Sequence, residues 1–152
     1  MLTKQSKLLV ALALLATTIL MSARAQAQEQ WPFVPGDFWE ITAIHLKDGG
    51  SWAYSNWLAT EWRKNLEFSK SQGWIKDYMV FSNVYGRADE ADLYIVRVRE
   101  SIPSGAESEA RQKAYMDWQS KSIEKMVEES GNRVEYREVA GTTLLQHWKF
   151  RD

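Results

Sequence analysis

Residues 38–47 read FWEITAIHLK, and alternation puts Trp39, Ile41, Ala43 and His45 on one face, with Phe38, Glu40, Thr42, Ile44 and Leu46 on the other. Neither face is cleanly polar, so the segment predicts a strand covered on both sides. DGG turns the chain, and Ser51 takes the N-cap position of a helix that runs to about residue 72 and closes at Gly73. Tyr54, Leu58, Trp62 and Leu66 recur at every fourth position and give that helix its core-facing stripe, flanked by Trp57 and Phe68 on one side and Trp52 and Ala59 on the other. Two β-rich stretches follow, at 75–85 and 92–100, joined by the hairpin connection GRADEA. Ser104 with Glu107 three residues later has the spacing of a capping box and starts a second helix. Its predicted end is Gly131, with Tyr115, Met116, Trp118, Ile123, Met126 and Val127 inward and charged residues outward. NRVEYREVAG then leads into TTLLQHWKF, a last strand.

The predicted order is βαββαβ, the split order of ferredoxin-like α+β folds: a four-stranded antiparallel sheet, first and third strands central, two helices on one face. Helices on one face leave the other uncovered. The register above assigns Phe38, Ile44, Phe81, Leu93, Ile95 and Trp148 to that uncovered face, where a second copy of the sheet would bury them, so a homodimer is expected. Over residues 38–150 the chain resembles the dimeric α+β barrel superfamily, on element order, helix lengths and two-sided strands. The resemblance implies two ferredoxin-like subunits packed sheet on sheet around a central cavity. It does not select a function, because that superfamily holds cofactor-independent and haem-degrading monooxygenases, isomerase-like and dehalogenase-like enzymes and stress-response proteins. Its haem-degrading branch places Asn, Trp and His in one pocket; Asn56, Trp57 and His45 are the same residue types here, but their order and spacing do not match and those roles are not carried over.

The N-terminal 27 residues change the compartment. MLTKQSK, an apolar run of about 14 residues and the small-residue tail SARAQAQ form the three parts of a secretory signal, with cleavage expected after Ala27. The apolar run is shorter than the roughly 20 residues of a membrane span, so no membrane anchor is expected and the mature protein is predicted to be periplasmic or secreted. Residues 28–37, with two prolines and a glycine, read as an extended arm, and residues 38–152 as the domain. The chain has no cysteine, so burial alone must hold it together even in an oxidising compartment. Of 19 basic and 20 acidic residues, cleavage removes Lys4, Lys7 and Arg24, leaving 16 against 20 and a net charge of −4, which argues against nucleic acid as a partner. Eight tryptophans, all beyond the signal, point to an aromatic core, a binding surface or a subunit interface.

Candidate chemistry is sparse. Glu40 and Arg97 are expected to pair inside an otherwise apolar barrel, because an unpaired buried charge is costly. Such a pair is the best candidate for catalysis, joined by His45, with Thr42, Asn83, Tyr85, Gln146 and Trp148 as candidate ligand contacts. His45 and His147, the only histidines, fall on strands expected to be neighbours; a third metal ligand at a readable spacing is missing, so structural roles are favoured and no metal or other cofactor is assigned. RVRE and YREV are too short and too balanced for phosphate sites, and there is no GxSxG, HExxH or CxxC pattern. The resulting expectation is a module that binds a small apolar or aromatic molecule or serves as a structural oligomer. The alternative is a cofactor-independent monooxygenase-like enzyme acting on such a molecule.

Overall fold

The computed structural model describes residues 30–152; the expected signal lies outside the described residues. The elements are β1 (Phe33–Leu46), α1 (Ser51–Trp57), a π-helical turn (Leu58–Trp62), α2 (Arg63–Ser71), β2 (Asp77–Ser82), β3 (Leu93–Arg99), α3 (Gly105–Gln119), α4 (Ile123–Asn132), a 3-10 turn (Arg133–Glu135) and β4 (Arg137–Phe150). The four strands form one antiparallel sheet in the order β2-β3-β1-β4, an α+β architecture. The described residues divide into two compact units, residues 35–149 and residues 30–34 with 150–152. In the smaller unit the Phe33 and Phe150 rings lie 5.2 Å apart, and Arg151 donates from its backbone N–H to the Pro32 carbonyl at 2.9 Å and from Nε to the Trp31 carbonyl at 3.1 Å.

In the larger unit α1, the π turn and α2 follow one another without a break from residue 51 to 71, and the predicted stripe of Tyr54, Leu58, Trp62 and Leu66 is buried along this helical rod. A spacing of four residues drifts by about 40° per step on an ordinary α-helix, at 100° per residue. The wider π turn absorbs part of that drift and keeps the stripe on the sheet; its mark is the Arg63 N–H reaching back five residues to the Leu58 carbonyl. The stripe meets Ile44 and Ile95, and each such side chain contributes about 1.5–3 kcal/mol of burial. Gly73, at φ +69°, ends the rod: it bonds back to the Lys70 carbonyl and the next N–H, of Trp74, to that of Ser69, which closes the last turn with a residue that carries no Cβ penalty. At the start Gly50, not Ser51, is the N-cap, and no side chain caps it. A Cβ on Gly50 would stand 2.2 Å from the Tyr136 carbonyl oxygen, so the close approach of two backbones sets the residue there.

Four expectations change. The arm is not wholly irregular: from Phe33 it already belongs to β1, and Pro35 and Gly36 are part of that strand. The last strand begins at Arg137, five residues before the predicted TTLLQHWKF. The second helix is two, because Ser120 sits in the left-handed region at φ 53° and Ser122 caps a new helix, its hydroxyl accepting from the Lys125 N–H at 3.2 Å. The Ser104 cap holds as predicted, accepting from the Glu107 N–H at 3.3 Å. Fourth, the sheet faces are exchanged. Ile44 and Ile95 lie beneath the rod, and strand pairing puts Phe38, Glu40, Thr42, Leu93, Arg97 and Arg99 on that same helix-covered face. Of the residues assigned to the uncovered side, Phe81 is on the opposite face, paired with Tyr94. Val96 and Val98 are buried on that opposite face, so β3 is covered on both sides, as its uniformly apolar pattern demands.

Candidate functional site

The helix-covered face of β1 and β3 changes character along its length. At one end Ile44 and Ile95 close the aliphatic core; four residues back along β1, Glu40 stands opposite Arg97. Arg97 donates from Nη1 to Glu40 Oε1 at 2.7 Å, and Arg99, two residues further on the same face, donates from Nη2 to Oε2 at 2.9 Å. One carboxylate therefore holds two guanidinium groups in the charge-assisted geometry that a low-dielectric setting strengthens. The pairing of Glu40 with Arg97 follows the sequence reading; Arg99 is the member that reading missed.

Above these arginines lies a cavity of about 470 Å³ in the larger unit. Its walls come from the rod, β3, α3 and the 3-10 turn, and they combine aromatic rings (Trp57, Trp62, Trp74, Tyr115) with four guanidinium groups (Arg97, Arg99, Arg111, Arg133) and no carboxylate. Arg111 is satisfied: it pairs with Glu107 and donates to the Trp74 carbonyl at 3.3 Å. Arg133 lies over the Trp57 ring, its Cζ 4.3 Å from the centroid, and spends Nη1 on the Glu129 carbonyl at 2.8 Å. Burial, with the neighbouring Arg137 charge second, holds its pKa below the usual arginine range. Burial likewise raises the pKa of Tyr115 above the usual phenol range, so its hydroxyl is un-ionised at neutral pH.

Three residues of the walls each bury an N–H that has no hydrogen-bond partner and no surface open to the cavity: Trp62 Nε1, Arg99 Nε and Arg133 Nε. Trp62 is only 4% exposed. A buried donor left unmade costs about 1–3 kcal/mol, so each is a local penalty that the packing behind the wall carries.

A second cavity, about 600 Å³, shares Trp57, Asn65, Tyr115 and Arg133 with the first. Gln119 spans this shared boundary, donating to Asn65 Oδ1 and to the Tyr115 hydroxyl at 3.1 Å. The two spaces differ in charge. The larger one includes Glu61, Glu129 and Glu135 among its walls, so its cations already face carboxylates.

The other predicted site residues are scattered. Thr42 shares a hydroxyl contact of 3.0 Å with Thr142 of β4. His45 is on the face of β1 opposite to Glu40, away from the rod, and Trp57 of the rod is not brought to it. His147 sits against Trp39, ring centroids 6.5 Å apart, and its carbonyl approaches Gly36, whereas His45 lies near the other end of β1; the two histidines do not meet. Among the described residues no group of three or more His, Asp or Glu side chains is placed to hold a metal ion. Asn83 and Tyr85 belong to the β2–β3 connection, where Asn83 donates to the Ala91 carbonyl at 3.1 Å and Tyr85 is fully solvated. Gln146 donates to the Gly36 carbonyl at 3.3 Å, and Trp148 is half-exposed. The residues that sequence reading missed are Arg99, Trp62, Arg111, Arg133 and Tyr115. Only Arg97 and Arg99 had a local signal: in RVRE they stand two apart, so they share a face of a strand.

No family model, curated protein or solved structure matches this chain, so the chemistry of the site rests on its own residues.

Proposed function

We propose that this protein is a small-molecule-binding module whose ligand occupies the 470 Å³ cavity between the helices and β3. The observation that carries the reading is the wall itself: four aromatic rings and four guanidinium groups from the rod, β3, α3 and the 3-10 turn surround one space with no carboxylate among its lining residues. A concave space with aromatic walls and a few placed polar groups is the usual make-up of a small-molecule site. Binding outranks catalysis here: the guanidinium and indole groups can hold and orient, but none is a base at neutral pH, and the one carboxylate nearby is engaged by two arginines.

The finer fold and setting are part of the same proposal: a ferredoxin-like βαββαβ chain, exported by its N-terminal signal and working as a homodimer. Support for the dimer is the half-exposed apolar pair Phe81 on β2 and Leu145 on β4, both on the sheet face away from the rod. Native mass spectrometry of the protein purified from a bacterial periplasm, with no ligand added, tests these claims together. A dimer carrying extra mass, released on unfolding, is the expected result. A bare chain whose thermal unfolding no small organic molecule shifts would overturn the binding role, and a monomer at micromolar concentration would overturn the dimer.

A further inference from the structure

The sheet has two open edges, and they are built differently. β4 is long, with charged residues at both of its ends, Arg137 and Glu138 at one and Lys149 at the other. β2 is DYMVFS, six residues with no lysine, proline or glycine; its one charge, Asp77, stands at its start and is tied to Lys70 at 3.0 Å. Charged residues, prolines and bulges are what keep an open edge from pairing with another chain, and past its first residue β2 has none of them.

The direction of its backbone groups follows from the ladder. Asn83, just past the strand, donates its N–H to the Asp92 carbonyl at 2.8 Å. In an antiparallel pair such bonds fall on every second residue, so Met79 and Phe81 bond to β3 while the N–H and C=O groups of Tyr78, Val80 and Ser82 point to the open edge. The side chains of those three residues lie on the rod's face of the sheet. There a groove of about 320 Å³ runs between β2 and the rod, walled by Leu58, Ala59, Trp62, Val80 and Leu93. An edge strand with an apolar groove beside it is a surface to which an extended strand adds.

β2 is complementary to itself. With a two-fold axis through Val80, the residues opposed are Val80 with its own copy, Tyr78 with Ser82, Met79 with Phe81 and Asp77 with Asn83. The outward residues of one strand then meet the outward residues of the other, so the edge groups of both are bonded. A two-fold axis commonly sets a charge against its own kind; here the one acid falls opposite an amide, and the central pairs are uncharged. Resting on the homodimer proposed above, we infer that the second copy docks edge to edge, the two β2 strands pairing antiparallel about Val80 and joining two four-stranded sheets into one. Phe81 is then covered by Met79 of the second copy, Val80 closes the side of both grooves, and Leu145, on the strand at the far edge of the sheet, takes no part.

The test uses the full chain purified from a bacterial periplasm. The chain has no cysteine, so a single one reports its own neighbours. Across the paired strands the two copies of residue 80 stand about 5.5 Å apart at Cα, within the span of a disulfide. Val80→Cys is therefore expected to form a disulfide-linked dimer under mild oxidation about tenfold or more faster than Leu145→Cys, although the two parent residues are similarly exposed, at 44% and 50%. Val80→Lys sets two ammonium groups on the axis and is expected to weaken dimerisation about a hundredfold in sedimentation velocity, about tenfold for each copy, whereas Leu145→Lys leaves the dimer as it is. If Val80→Lys does not fold, the two cross-linking rates decide. A parent that sediments as a monomer at micromolar concentration would overturn the homodimer and this inference with it. A dimer in which Leu145→Cys cross-links as fast as Val80→Cys, or which Leu145→Lys breaks and Val80→Lys does not, would overturn the edge contact and leave the homodimer standing on the sheet face.

Discussion

One face of β1 and β3 carries two regions that meet the same helical rod in opposite ways. Around Ile44, Tyr54, Leu58 and Ile95 the contact is aliphatic and aromatic, and Ile44 and Tyr54 are each only 1% exposed. Four residues along, Glu40, Arg97 and Arg99 face the part of the rod that buries the Trp62 indole, and there donors outnumber acceptors. The first region holds the fold by closing; the second stays incomplete. A domain of this size can carry the incomplete region only because the closed one supplies the stability.

The sharpest way to break that comparison is to damage the closed half. Leu58→Ala and Ile44→Ala should each lower unfolding free energy by about 2–5 kcal/mol, measured by urea titration. If the division holds, adding Glu40→Gln to Leu58→Ala should give the sum of the two separate losses. A double-variant loss far from that sum would mean that the two regions are one unit.

Glu40→Gln tests the boundary. It removes the one carboxylate that holds Arg97 and Arg99 and should cost about 2 kcal/mol, below the full figure for a buried pair because the Arg97 side chain is 38% exposed. The loss is read as a lower urea midpoint with an unchanged slope. No loss would show that Arg97 and Arg99 hold their places without this carboxylate.

Alkaline pH reaches both regions through buried phenols. Burial is the main cause that raises the pKa of Tyr54 in the closed region and of Tyr115 at the cavity. A phenol whose folded pKa lies above its unfolded value of about 10 contributes stability that is fully present below pH 10 and is lost as pH rises through the folded value. The Arg133, Arg137 and Arg97 charges near Tyr54, and Arg97, Lys121 and Arg133 near Tyr115, pull the other way and limit the effect. Melting temperature should therefore fall between pH 10 and 11, and Tyr54→Phe should flatten that fall more than Tyr85→Phe, whose ring is 92% exposed.

The closed half was the legible one. Four apolar residues at a constant spacing of four are a global signal, and Tyr54, Leu58, Trp62 and Leu66 are all buried as that spacing requires. The Glu40–Arg97 pair was also legible, since an antiparallel register brings a buried carboxylate to its counter-charge. Which face it occupies was not, because both faces of residues 38–47 are largely apolar and alternation then has no sign. The break at Ser120 left no trace either: a serine in the left-handed region replaces the glycine that would have announced it. The cavity was the least legible part. Its cations come from β3, α3 and the turn after α4, and no spacing along the chain links Arg99, Arg111 and Arg133 before the fold does.

The smallest expected effect is the most discriminating. Trp62→Phe keeps a ring in the stripe beneath the rod and deletes only the buried N–H that has no acceptor. A donor with a hidden partner would cost about 1 kcal/mol or more when removed, whereas an unmade donor is itself a penalty, so deleting it should leave stability within about 0.5 kcal/mol of the parent or raise it. Urea titration of the two proteins checks this, and a loss of more than about 1 kcal/mol in Trp62→Phe would show that the indole N–H has an acceptor within the fold.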